Sequence, residues 1–114
     1  MVRKLLFCAL LLASCSKGPQ ADLQYIGDAR SLAAEWALIN EQASEGKLTD
    51  VYVGSMHKWL RKQLQADSAA LTQPNSPYGA EIAALLRQPD DAAPEALNAH
   101  ADKLEQIEDA LESA

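Results

Sequence analysis

Apolar residues recur along this chain at spacings of three and four over most of its length, the period of helices with one buried face. Tyr25, Ala29, Leu32, Trp36, Ile39 and Ala43 form a heptad-like seam. Gly46 stands where a helix would close in a left-handed residue. Thr49 offers a cap for a second helix whose stripe is Val53, Met56, Leu60, Leu64 and Leu71. The stretch Thr72-Gln73-Pro74-Asn75-Ser76-Pro77 reads as a loop. Ser76 caps a short third helix, with Pro77 at its first position and Ile82, Leu85 and Leu86 on its apolar side. Gln88-Pro89-Asp90-Asp91 ends that helix. Pro94 opens a last one with Leu97, Ala101, Leu104, Ile107 and Leu111 on one face. Only Val51-Tyr52-Val53 has strand-like alternation. The pattern predicts an all-α fold, a small antiparallel bundle of three long helices and one short helix after an N-terminal signal peptide. A helical hairpin that completes its core with a partner is the competing architecture.

The N-terminus follows a different rule. Arg3 and Lys4 precede Leu5–Ala13, a run without polar side chains. It is far shorter than the roughly 20 apolar residues a membrane-spanning helix needs. A charged start, a short apolar core and small residues before a boundary are the layout of a secretory signal. The boundary itself, Leu12-Ala13-Ser14-Cys15, resembles the lipobox of bacterial lipoprotein precursors. That resemblance implies diacylglycerol on the Cys15 sulfur, cleavage before Cys15 and an acyl chain on the freed amine. Small residues let the extended chain enter a protease, and the thiol is the nucleophile for alkylation. Several acyl chains together anchor firmly where one holds only marginally. Ser16 after the cysteine resembles the outer-membrane default, so the outer membrane is favoured over the inner. The expected division is 1–14 lipoprotein signal peptide, 15–21 acylated cysteine and short tether, and 22–114 helical domain. A tether from Ser16 to Ala21 spans about 20 Å at most, which keeps the domain near its bilayer.

Cysteine and charge narrow the function. Cys8 lies in the segment expected to be removed and Cys15 is the expected lipid attachment site, which leaves the mature domain without a disulfide. Ten Lys and Arg face 16 Asp and Glu in the whole chain; losing Arg3 and Lys4 leaves eight, and the net charge moves from −6 to −8. An acidic domain is a poor candidate for nucleic acid, whose binding needs a positive face to meet phosphates, so nucleic acid is not expected as a partner. The charge is uneven. Asp90–Ala114 holds eight acids and Lys103 alone, while Lys47–Lys62 holds Lys47, Lys58, Arg61 and Lys62 against Asp50. Two readings follow. Either the second and last helices lie side by side and complement each other, or the acidic face meets a basic partner.

No motif names a reaction. His57 and His100 are the only histidines, and neither sits in a ligand spacing for zinc. His57 stands among positive charges, and His100 with Asp102 does not share a helix face. The acids fall on what read as solvated faces, without a nucleophile elbow, phosphate loop or Cys/His pair. No catalytic residue, metal or cofactor is expected. Met56-His57-Lys58-Trp59-Leu60-Arg61-Lys62 combines basic and aromatic residues, as membrane-surface helices do. Met56 and Leu60 fit the core stripe and Trp59 flanks it, so packing in the core is the expected role. The sequence therefore predicts a non-enzymatic accessory or assembly subunit of an envelope complex, held to the membrane through Cys15 and touching an envelope protein. The alternative is a binder of a small apolar or lipidic ligand on the periplasmic side.

Overall fold

The computed structural model describes residues 18–114. Cys15, the lipobox and the signal segment lie outside the described residues. After a 3-10 turn at Pro19–Asp22, four helices follow: α1 Leu23–Ser44, α2 Asp50–Ala70, α3 Pro77–Leu86 and α4 Pro94–Glu112. Together they form a compact all-helical bundle, with no strand among the described residues. Helical structure thus starts inside the stretch assigned to the tether.

Local chemistry sets the boundaries. Gly46 adopts φ 72°, and its amide donates to Ala43 O, closing α1. The Thr49 hydroxyl accepts from Tyr52 N at 3.2 Å and starts α2. Ser76 Oγ accepts from Gly79 N at 3.1 Å at the start of α3, with Pro77 in the first helical position. Pro94 opens α4 in the same position. Gly79 passes so close to the Pro74 carbonyl that a Cβ there would overlap it. Gly27 likewise leaves room for the Glu108 side chain, whose Oε2 lies 2.8 Å from where a Cβ would stand.

The core is built on α1. Leu32, Trp36 and Ile39 of the expected seam are buried, as is Ala29, with Tyr25 and Ala43 half-buried. A second stripe of Ile26, Ala33, Ala37 and Asn40 is buried too. This two-sided burial makes α1 central, with α2 packed along one side and α4 along the other. Leu60, Leu64, Ile82, Leu85, Leu97 and Leu104 are fully buried in one cluster with Trp36. Val53, Met56, Leu86, Ile107 and Leu111 are only half-buried at the margin.

Because α1 intervenes, α2 and α4 do not pack side by side as the charge pattern suggested. The acidic helix instead takes its cation from α1, with Arg30 Nε 2.8 Å from Glu108 Oε1. Gln20 Nε2 also donates to Leu111 O at 2.9 Å, so the start of α1 lies against the end of α4.

Candidate functional site

Three polar constructions hold the bundle together, and two surfaces are left over. The first construction begins at Asp22, which is fully buried. Aspartate is a good helix cap, yet this one caps nothing. Its carboxylate accepts from Thr72 N at 2.9 Å, Thr72 Oγ1 at 3.0 Å, Gln73 N at 3.2 Å and Tyr78 Oη at 2.6 Å. Burial alone would raise its pKa, but the bonds from Tyr78, Thr72 and Gln73 together hold it below the usual carboxylate value. The same pairing raises the Tyr78 pKa, with burial the larger cause and the Asp22 bond the next.

The second construction pins the loop between α3 and α4. Arg61, read from sequence as one of a basic cluster, turns inward. Its guanidinium donates to Leu86 O at 2.9 Å and Gln88 O at 2.5 Å, pairs with Asp90 Oδ1 at 2.6 Å and lies over the Trp36 ring, 4.8 Å from its centroid. Leu86 and Gln88 carry carbonyls left without helical donors at the end of α3, a position that favours a cation. From α1, Trp36 Nε1 donates to Asp90 O at 2.9 Å, and Asn40 Nδ2 donates to Asp90 O and Ala92 O at 2.9 and 2.8 Å.

Those two carbonyls orient the Asn40 amide, and a second consequence follows. With Nδ2 donating, Oδ1 must accept, so the buried His57 donates from Nε2 across 2.8 Å. His57 Nδ1 is then a free acceptor in the neutral ring, with no partner among the described residues and not sealed from solvent. His57 and Asn40 border a cavity of about 320 Å³ whose walls include Ala43, Val53, Ala92 and Pro94. Its walls are mainly apolar, and its size is at the low end for ligand pockets. His100 is elsewhere and partly buried, its Nδ1 3.0 Å from Glu81 Oε1 and its Nε2 3.0 Å from Gln88 Nε2, so it ties α4 to α3. The histidines therefore belong to separate networks. Among the described residues, no three His, Cys, Asp or Glu side chains converge as metal ligands.

The third construction is unsatisfied. Asp67 of α2 is buried against Asp28 of α1, and its Oδ2 has no hydrogen-bond partner. Burial first, then the hydrogen bond and negative charge of Asp28, push its carboxyl up to about 8. These causes all favour the neutral form of the Asp67 carboxyl.

One leftover surface is the outward side of α2. Trp59 was expected to flank the core, and it is 45% exposed; Val51 and Tyr52 are 81% and 46% exposed. The reason is angular. At about 100° per residue Trp59 stands a quarter turn from the buried Leu60, and no further helix among the described residues covers that side. Lys58 and Lys62 share this exposed side and have no acidic partner among the described residues. The other surface is the outward side of α4, where Glu95, Asp102, Glu105, Asp109 and Glu112 are exposed with Lys103 alone.

Sequence reasoning flagged the basic and aromatic cluster and both histidines. It missed Asp22, Asn40 and the Asp28–Asp67 pair, all of which depend on partners distant in the chain. An aspartate or asparagine on a helix face otherwise made of alanines and large apolar residues was the available signal. No family model, curated protein or solved structure matches the chain.

Proposed function

We propose that this chain is a small bacterial lipoprotein. Its signal peptide, residues 1–14, is removed, Cys15 is acylated, and the helical domain stands at the periplasmic face of a membrane, the outer one in preference to the inner. It acts without catalysis, as an accessory or assembly subunit of an envelope complex. The bundle is read as antiparallel, three long helices with one short; the contacts of Arg30 with Glu108 and of Gln20 with Leu111 support this for α1 and α4.

The observation that carries the interaction role is the outward acidic side of α4. With α2 packed elsewhere, Asp102, Glu105, Asp109 and Glu112 have no cation of this bundle opposite them, which favours a basic surface on the partner. Tethering adds to this, since confinement at the membrane populates weak contacts. The test is in-cell crosslinking and purification of the full chain beside the variant Asp102→Asn/Glu105→Gln/Asp109→Asn, with residues 1–21 fused to an unrelated domain as control. An envelope protein recovered with the native chain and lost with the variant supports the reading. Equal recovery from all three removes it. The anchor has its own test: Cys15→Ala should leave an uncleaved precursor that takes up no labelled fatty acid, and continued labelling would refute it.

A second reading is supported by the cavity beside His57. There the chain carries a small apolar molecule with one hydrogen-bond donor. Mass spectrometry of the purified protein should then find an extractable ligand that is lost on Val53→Trp, a substitution that fills the cavity.

A further inference from the structure

We infer that the outward side of α2 lies on the anionic phospholipid headgroups of the membrane that holds the anchor, with Trp59 and Tyr52 at the depth of the headgroups and Lys58 and Lys62 against their phosphates. This inference rests on the lipoprotein reading above.

Three observations carry it. The first is composition by position. Val51, Tyr52, Lys58, Trp59, Lys62 and Ala66 are all exposed and fall on one side of α2. That side holds two cations and no acid, whereas the adjoining outward side of α1 carries Asp28, Glu35 and Glu41, all exposed. Exposed tryptophan and tyrosine beside lysine, on a helix whose opposite side is buried, is the make-up of an interfacial helix. The second is charge. In a domain with more than twice as many acids as bases, a lysine pair without an acidic partner is matched by an anionic surface.

The third is the length of chain between lipid and fold. Gly18 O accepts from Thr72 Oγ1 at 3.2 Å, which places Gly18 just beyond the C-terminal end of α2. Three peptide steps separate Cys15 from Gly18, a reach of about 11 Å when fully extended. A lipid on Cys15 therefore holds that end of α2 within the thickness of the headgroup layer. From there the helix runs about 30 Å back to Val51, and the tether leaves the bundle free to tilt and to roll. Contact of the aromatic and basic side with the headgroups sets both. It also leaves the acidic side of α4, across α1, turned away from the bilayer and open to a partner.

The experiment uses the acylated full-length product extracted from membranes and reconstituted in vesicles of phosphatidylcholine, with or without phosphatidylglycerol. Intact mass first reports whether Cys15 carries lipid. Trp36 is fully buried, so the difference between the native chain and Trp59→Phe isolates Trp59 emission. In vesicles containing phosphatidylglycerol, acrylamide quenching of Trp59 should fall about twofold or more against detergent micelles, and brominated lipid should quench it. Lys58→Glu/Lys62→Glu should abolish both effects while the protein stays on the vesicles. A photo-crosslinker at position 59 in cells should give lipid adducts. Acylated protein whose Trp59 remains as open to acrylamide as in detergent overturns the docking and leaves the anchor intact. A crosslink from position 59 to another protein, or to a second copy, also overturns it. Absence of lipid on Cys15 overturns the anchor and the docking with it.

Discussion

Replacing Asp67 with asparagine should make the stability of this domain almost independent of pH between 5 and 9, where the native chain should lose stability steadily. The ordinary value for such a carboxyl is 3.8, and burial beside Asp28 pushes Asp67 up to about 8 in the fold. Between those values the folded state binds the extra proton, so stability is complete below pH 4 and falls as pH rises through 8. Each unit of difference is worth about 1.4 kcal/mol, which sets a ceiling near 5–6 kcal/mol for a span of about four units. The last turn of α2 can open into water once Asp67 is charged, and such local opening brings the expected loss to about 2–3 kcal/mol. In a domain of this size that is a fall in Tm of roughly 8–20 °C from pH 5 to pH 9. The substituted amide is close to the carboxyl in size and cannot ionise, so the Tm of Asp67→Asn should stay level and exceed the native one at pH 9. Thermal melts followed by circular dichroism at pH 5, 6, 7, 8 and 9 read this directly. Native and D67N curves that run parallel across the range would refute the protonated pair.

Asp22 works in the opposite direction and in a lower window. Its folded pKa is depressed, so its contribution is present above pH 4 and lost as pH falls further; Asp22→Ala should cost about 3–5 kcal/mol at pH 7, read by urea melts, and remove that acid sensitivity. Arg61→Met keeps an unbranched apolar stem but removes the guanidinium over Trp36 and the donors to Leu86 O and Gln88 O; a loss of about 2–4 kcal/mol is expected, with hydrogen exchange accelerated mainly in residues 87–93. Gly79→Ala should cost about 2 kcal/mol or more, because its Cβ meets the Pro74 backbone, whereas Gly54→Ala, with open space around it, should stabilise by about 1 kcal/mol in a chemical melt.

The parts of this fold legible in the sequence are those decided by neighbours in the chain. Thr49, Ser76 with Pro77, Pro94 and Gly46 end or begin helices through bonds spanning a turn or less, and all four stand where the residue types indicate. The stripes of Leu and Ile were legible for the same reason. The central position of α1 was not, because half of its second buried stripe is Ala33 and Ala37, and alanine suits a core and a surface alike. Without that, Lys47–Lys62 and the acidic last helix looked like natural neighbours. The basic and aromatic cluster on α2 was visible in the sequence, but whether Arg61 or Lys58 faced outward depended on a loop 25 to 29 residues further along the chain. Asp22 meets its partners across 50 residues and more, a distance over which no periodic pattern runs.

The knot around Asp22 decides how the domain bears load. Tension arriving from upstream of Gly18 reaches Asp22 within four residues, before it reaches any turn of α1. There the force divides among bonds from Thr72, Gln73 and Tyr78, which resist together because they converge on one carboxylate. Helix α1 is thereby shielded from being unwound one turn at a time from its free end. The pull is handed instead to the junction between α2 and α3, where the chain is braced by the Ser76 cap and by the close fit of Gly79 against Pro74. Under the proposed anchor at Cys15, this is the difference between a hem that unravels and a rivet that must fail all at once.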